Sequence, residues 1–590
     1  MTGYETFPAM QVLFLSLGPG LPLLIGFGLM WRPLRNKAYA MVPFAALPAL
    51  LAALSGPSKV AVEVPWFFMG SMMGLDPIGR IFLFVTALLW LAASLYSRGY
   101  LAEDKKRYRY SGYFLVSMSG NFGLILAQEF LGFYLFFSLM SFAAYGLIVH
   151  KETGEAFRAG RVYLVLVVLG EVMLFVALLL IASTSGSGDF AGLCSVGSGG
   201  LLFALLFIGF GIKAGALPLH VWLPLAHPVA PAPASAVLSG AMIKAGLLGW
   251  IRFLPHEAAC APLWASVFVF FGLAAVFYGV LVGLTQSNAK TVLAYSSISQ
   301  MGFMTIIIGF GLQSPKNWNL AAAAAGLYGL HHGLAKGCLF LGAGIAAGNR
   351  NGEKMPWWLV AGLWLPALAL AGFPFSSGAI AKSLIKEVLG RSRGPLYDLV
   401  YYFFLPLGAA GTMALLVHFL HLAGTAKMTE RRENGMMAFG WFLLLVAVVC
   451  VMWLWTAGDL HAGHLLSPKV LWDGLWPVLL GLAGGMIWVR FRKGSHSRRF
   501  FMLPPGDILE LVAWLGGKSG IFCRNGLNAG KTEGKGRLLR GEQAWAGIKP
   551  ALRLGRAEKV LQRWAVVAGI YLAVFMLFFL VFSWGLYGFP

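Results

Sequence analysis

Residues 211–246 read GIKAGALPLHVWLPLAHPVAPAPASAVLSGAMIKAG. Two lysines, Lys213 and Lys244, stand inside this otherwise apolar stretch, and Pro218, Pro224, Pro228, Pro231 and Pro233 interrupt it. A lysine at the centre of a membrane helix costs roughly 2.5–3.5 kcal/mol on insertion scales, so one that persists faces the protein interior or a watery cavity and has a task there. Broken helices at membrane depth free backbone carbonyls and amides, which is tolerated where they line a cavity or an ion site. The stretch therefore reads as a proline-broken membrane segment that handles protons or ions.

The rest of the chain agrees with a membrane setting. Of 590 residues 58% are hydrophobic and 12% charged, and the mean hydropathy is +0.75; apolar runs in such a chain have no polar surface to hide behind. The expected fold class is all-α, a polytopic membrane protein. Runs bounded by Gly, Pro or charge, with about 20 residues needed to cross, predict spans near 9–31, 38–55, 77–97, 111–128, 130–150, 161–184, 200–220, 231–252, 263–285, 291–311, 320–347, 358–388, 398–422, 436–457, 470–492 and 564–587. The twelfth is too long for one straight helix, and Pro366 and Pro374 are expected to interrupt it. The first ten residues hold Glu5 and no Lys or Arg, so the basic region of a cleavable signal is missing and the first run is expected to remain a helix.

The net charge of +22 follows from topology. Most Lys and Arg fall in loops after odd-numbered spans, as insertion alone produces, which discounts nucleic-acid binding and predicts both termini outside an inner membrane. A membrane domain is expected over 1–492, with repeated units near 111–252 and 263–422. A basic, glycine-rich cytoplasmic segment is expected at 493–563, its flank from Ala544 to Trp564 reading most simply as an interfacial helix on anionic lipid, with a partner-binding surface as the alternative, and then a last span within 564–590. The GLNAGKT run at 526–532 has Asn525 where a phosphate-binding loop needs glycine and lacks a preceding strand, so no nucleotide site is assigned. The five cysteines are isolated in sequence. No cofactor is expected in this chain, and redox centres are expected in partner subunits.

Four lysines lie within spans, Lys213, Lys244, Lys336 and Lys382. Together they cost on the order of 10 kcal/mol on the insertion scale. The bland alternative is that they sit near helix ends and snorkel to the interface. His332 and Lys336 share a helix face, with His331 adjacent, and histidine titrates in the range a proton relay uses; satisfied interior histidines are the competing reading. No Cys, Asp or Glu stands at ligand spacing beside the pair, so no metal is expected. Lys290 and His220 are secondary relay candidates.

The residues then resemble a known family, the antiporter-like membrane subunits shared by respiratory complex I, membrane-bound hydrogenases and Mrp-type cation/proton antiporters. The resemblance is carried by LDPIGRIFLFVTALLWLAASLYSRGY at 75–100, the segment from Gly211 to Arg252, AKTVLAYSSISQMGFM at 289–304, HHGLAKGCLFLGAG at 331–344 and FPFSSGAIAKS at 373–383. The wording AHP…SAVLSGAMIKAG is more similar to the large membrane subunits of hydrogenase-4 and formate hydrogenlyase than to the most distal complex I subunit. The resemblance implies a fourteen-helix core of two inverted five-helix repeats with discontinuous seventh and twelfth helices. It also implies a midplane relay in which Lys213 belongs to the seventh helix, Lys244 to the eighth, His332 and Lys336 to the eleventh and Lys382 to the twelfth. Lys290 matches a basic position at the start of the tenth.

One departure matters. The family's fifth helix carries a glutamate that pairs with the lysine of the seventh; here FYLFFSLMS places Ser138 at that position. Glu171 in the sixth span is the nearest substitute, expected to act as counter-charge to Lys213, while Glu129 is expected to face solvent. Leu225 also stands where WLP is often followed by an acid. The expected function is proton translocation within a redox-driven respiratory or hydrogenase complex, with other membrane subunits, a peripheral redox arm and the lipid bilayer as partners. Two alternatives stay open: a cation/proton antiporter module without redox coupling, and a structural subunit that no longer conducts.

Overall fold

The computed structural model describes residues 9–493 apart from 56–59, 65–70, 186–189, 191–198, 256–260, 314, 349–354, 392–394, 426–433 and 457–466, together with Leu503, Pro504 and Ile508. Of the expected basic segment 493–563, all but Lys493 and those three positions lie outside the described residues, and the expected last span lies wholly outside them. Every other expected span coincides with helix. The helices are α1 (Ala9–Met30), α2 (Arg35–Met41), α3 (Leu47–Ser55), α4 (Pro77–Tyr100), α5 (Arg107–Leu126), α6 (Phe130–Ile148), α7 (Gly154–Ser185), α8 (Gly200–Ala214), α9 (Trp222–Val229), α10 (Ala232–Val237) and α11 (Ile243–Phe253). They continue with α12 (Pro262–Thr285), α13 (Ala289–Leu312), α14 (Pro315–Ala346), α15 (Trp357–Ala371), α16 (Ser377–Gly390), α17 (Pro395–Leu399), α18 (Leu405–Gly424), α19 (Gly435–Thr456) and α20 (Pro468–Lys493). One short antiparallel hairpin, β1 (Val60–Val64) with β2 (Ser71–Leu75), joins α3 to α4, Val60 facing Leu75.

Among the described residues eleven helical stretches are long and apolar enough to cross a bilayer. The outer ones turn large apolar side chains outward, such as Val165, Val172 and Leu179 of α7, Phe270 and Leu281 of α12, and Phe439 and Phe442 of α19. Lipid tails accept that surface. The α10–α11 stretch and α13 are instead buried along their whole apolar length, and α14, which carries His331, His332 and Lys336, runs through the same interior. A helix that meets only protein is free to carry polar side chains, because its neighbours supply their partners.

The seventh and twelfth spans break in the same way. At Gly215 (φ 70°) the Ala216 amide bonds the Gly211 carbonyl at 2.9 Å and the Gly215 amide bonds that of Ile212 at 3.2 Å. At Gly372 (φ 85°) Phe373 bonds Leu368 at 3.0 Å and Gly372 bonds Ala369 at 2.9 Å. Both are Schellman closures, in which a left-handed residue folds the chain back on the last turn; glycine adopts that conformation without a Cβ penalty. The following spans match as well, since the eighth and thirteenth each contain a π turn, Leu238–Met242 and Val400–Phe404. Seventh with twelfth and eighth with thirteenth thus repeat one plan. One expectation needs correction: Pro366 does not interrupt the twelfth span but lies inside α15, and the break falls at Gly372–Ser376. Neighbouring helices tolerate a proline in an apolar helix, whereas the left-handed glycine ends it.

Arg252, at the end of α11, holds the end of α5 in place. Its guanidinium donates to the carbonyls of Leu124 (3.2 Å), Ile125 (2.8 Å) and Ala127 (2.7 Å) and to Asp76 Oδ2 (3.3 Å). These are carbonyls that a helix C-terminus leaves without intrahelical partners. Arg252→Ala is expected to lower stability by about 3 kcal/mol, read as an earlier thermal unfolding midpoint of the purified protein.

Candidate functional site

Lys213 lies in the last turn of α8 and is 2% exposed. Its Nζ donates to Tyr163 Oη of α7 at 3.1 Å and lies 5.5 Å from the centre of that ring. Tyr163 in turn donates to the Ser141 carbonyl of α6 at 2.6 Å. Trp222, just past the break, satisfies the Ile212 carbonyl through its indole N–H at 2.7 Å. His220 is fully buried inside the break, with its ring 5.2 Å from Tyr278 and 6.5 Å from Tyr295.

Glu171 is also buried, two turns along α7 from Tyr163. Its Oε2 accepts a hydrogen bond from Ser138 Oγ at 2.5 Å. The hydroxyl at the family's glutamate position therefore holds a carboxylate delivered by the next helix. Glu171 and Lys213 are close enough to act on one another's charge, yet among the described residues no carboxylate stands within 4 Å of Lys213. Tyr163, not a carboxylate, is the group in contact with Lys213. Glu129 is half-buried at the start of α6, with Oε1 out of solvent, so it is exposed only in part.

The chain of cations continues inward. Trp250 of α11 donates to the Leu206 carbonyl of α8 at 3.1 Å, which ties the two lysine-bearing helices together. Lys244 Nζ donates to the Ser239 carbonyl at 2.6 Å, inside the π turn that offers this oxygen sideways. Ser239 Oγ meets Ser297 Oγ of α13 at 2.8 Å, and Ser297 donates to the Leu293 carbonyl at 3.0 Å. The same carbonyl accepts from Lys336 Nζ at 2.9 Å, and Lys336 also donates to Ser296 Oγ. Hydroxyls and carbonyls shared by three helices therefore join the surroundings of Lys244 to Lys336. At the crossing, a Cβ on Gly240 would lie 2.9 Å from the Gly333 carbonyl oxygen, so only glycine lets the π turn and α14 approach this closely.

His332, fully buried on α14 one turn before Lys336, makes no hydrogen bond among the described residues through either ring nitrogen. His331 Nδ1 meets Ser377 Oγ of α16 at 2.8 Å. Lys382, half-buried on the same helix, donates to the Ala371 carbonyl at the end of α15 and lies 6.0 Å from the Phe303 ring centre. Each broken helix thus places an ammonium at the C-terminus of its first half, where the helix dipole is negative. Lys290 at the start of α13 donates to the Ala230 carbonyl at 3.3 Å, outside this line but next to the α9–α10 junction. Burial of Lys213, Lys244 and Lys336 removes the snorkelling alternative for these three.

No local sequence pattern marks Tyr163, Ser239, Ser296, Ser297 and Ser377. Their spacing is that of any apolar helix with occasional hydroxyls, and only the packing gives them a place beside the cations. His227, also fully buried and with no hydrogen bond at either ring nitrogen among the described residues, stacks on Phe340 at 4.5 Å.

Residues 127–388 match the family profile described as NADH:quinone oxidoreductase/Mrp antiporter, TM. This segment is similar to the antiporter-type membrane modules that the profile describes. The antiporter module's relatives include the hydrogenase-4 component B of Escherichia coli (strain K12), 28% identical over 450 residues that make up 69% of this chain and 65% of that protein. In fold it is similar to the Mrp complex of Dietzia sp., with a TM-score of 0.67 at 20% identity over 92% of this chain and 64% of that one. It is also similar to an archaeal membrane-bound sulfane sulfur reductase, with a TM-score of 0.62 at 19% identity over 81% and 99%. The chain spans just under two thirds of the hydrogenase-4 component and of the Mrp chain. The matched segment contains both helix breaks and the intramembrane lysines Lys213, Lys244, Lys336 and Lys382.

Proposed function

We propose that this chain is a proton-translocating, antiporter-like membrane subunit of a redox-driven complex of hydrogenase or formate-hydrogenlyase type. The observation that carries the reading is the row of intramembrane basic groups from the buried Lys213, Lys244, His332 and Lys336 to the half-buried Lys382, bounded by two matching helix breaks. Two like charges roughly 8 Å apart repel by about 2 kcal/mol at an effective dielectric of about 20. Neighbouring members of such a line therefore disfavour simultaneous charging, and a proton arriving at one end promotes departure at the next. The serine hydroxyls both accept and donate, which lysine ammonium groups alone do not.

Electron transfer in partner subunits, which hold the redox cofactors, alters the charge at one end of this line; the chain itself makes and breaks no covalent bond in a substrate. The module sits in the inner membrane with its N-terminus and C-terminus outside, the orientation that puts most basic loops in the cytoplasm. The deciding experiment reconstitutes the native complex in vesicles and follows the pH gradient. Lys213→Ala and Lys382→Ala are each expected to reduce it at least about tenfold, the effect of about 1.4 kcal/mol on the transfer barrier. Unchanged gradients in both variants would defeat the transport reading.

A further inference from the structure

The second helix break is covered by two helices beyond the matched segment. Trp453 of α19 donates its indole N–H to the Phe375 carbonyl at 3.1 Å. Gly474 of α20 comes so close that a Cβ there would lie 3.3 Å from the Gly372 carbonyl oxygen and 3.6 Å from the Pro374 ring. Below them Ala371, Met413, Val417 and Val478 form a buried apolar cluster that fastens α20 to α15 and α18. The residue before Gly474 is Asp473, whose Oδ2 accepts from Lys386 Nζ at 2.9 Å. Lys386 follows Lys382 by four residues, one turn along the same face of α16, and its ammonium lies 5.5 Å from the centre of the Tyr401 ring. The nearby Glu387 is paired with Arg391, which caps the C-terminus of α16. Among the described residues, Asp473 is thus the carboxylate in ion-pair contact with Lys386, and Lys382 forms no ion pair.

We propose that Asp473 is a positioning residue of the second half of the relay: it neutralises Lys386 and so allows Lys382 to accept a proton at the break. In the first half a carboxylate on α7 stands near the break lysine. In the second half the counter-charge comes from outside the paired repeats, delivered by α20 and one helical turn removed. Lys382 takes a proton from the relay, becoming an ammonium tied to the Ala371 carbonyl, and returns that proton to water beyond the break. Asp473 exchanges no proton in this step. Its carboxylate offsets the neighbouring positive charge that would otherwise oppose loading. α20 thereby belongs to the transport machinery.

The inference rests on the transport reading, and its test separates the two. The purified complex containing the full chain is placed in vesicles, a potassium diffusion potential is imposed, and proton flux is followed with a trapped pH dye. Asp473→Asn is expected to lower flux about tenfold, the effect of one uncompensated charge a helical turn away. The double variant Asp473→Asn/Lys386→Gln removes both charges and keeps an amide pair at the contact; its flux is expected within about twofold of wild type. Wild-type flux in Asp473→Asn overturns the inference. So does a double variant as impaired as the single one, because a contact serving only as a fastening between α16 and α20 gives that result. If Asp473→Asn does not assemble, the double variant alone decides, with restored flux supporting the inference and lost flux overturning it. Absence of flux in wild type defeats the transport reading itself and this inference with it.

Discussion

Replacing Glu171 by glutamine is expected to cut proton flux through the reconstituted complex at least about tenfold while leaving the complex assembled. The amide has the carboxylate's shape and still accepts the hydrogen bond that Ser138 Oγ donates at 2.5 Å, so packing between α6 and α7 is preserved. What disappears is the negative charge that acts on Lys213 from α7. In a buried site a single opposite charge changes the balance between protonated and neutral lysine by more than the 1.4 kcal/mol that makes a factor of about ten. A second variant sharpens the test. Ser138→Glu combined with Glu171→Ser returns the carboxylate to α6 and moves the hydroxyl to α7, reversing the hydrogen bond without changing the inventory of groups. Substantial recovery of flux is expected, whereas undiminished flux in Glu171→Gln alone would sink the idea that this carboxylate is the counter-charge of Lys213.

The second large effect concerns the breaks. Gly372→Ala is expected to lower stability by about 2 kcal/mol, with Gly215→Val costing more. Both glycines hold positive φ, and side chains there pay about 1–2 kcal/mol, β-branched ones the most. Contacts add to this. A Cβ on Gly215 would overlap Leu223 Cδ1, and one on Gly372 would lie 2.8 Å from Lys382 Nζ, displacing the ammonium from the Ala371 carbonyl. Thermal unfolding in detergent measures the first consequence and proton flux the second. Gly484→Ala serves as the control: it lies within α20 with nothing within 4 Å of its would-be Cβ, so it is expected to be neutral or to stabilise by up to about 1 kcal/mol. Equal losses at all three positions would show that the left-handed turns have no special role.

Much of this architecture is legible in the residues themselves. The span boundaries, the seventh and twelfth breaks and the four intramembrane lysines all follow from local chemistry, and the correction at Pro366 shows where such reading stops. Proline in an apolar run signals a weakened helix, but whether the helix parts there depends on what surrounds it. Within α15 neighbouring helices hold Pro366 in a continuous helix, while the chain six residues later parts at a glycine that no periodicity marks. Ser138 reads from its position as a missing carboxylate, and Glu171 as the nearest substitute, but nothing in their spacing announces the hydrogen bond between them.

That the chain spans a membrane many times, that two of its spans are broken and that cations lie within them follows from its residues alone. Hydropathy, helix length and the weakening of a helix by proline are settled by neighbours within one or two helical turns, and a single sequence contains those in full. Which groups accept the lysines' hydrogen bonds and offset their charge is a product of the folded arrangement. Ser138 meets Glu171 across 33 residues, Lys213 meets Tyr163 across 50, Ser239 meets Ser297 across 58 and Lys386 meets Asp473 across 87. Partners so far apart are chosen by helix packing, whose crossing points depend on glycine contacts such as Gly240 on Gly333. A buried charge is stabilised by whatever that packing brings within a few ångströms.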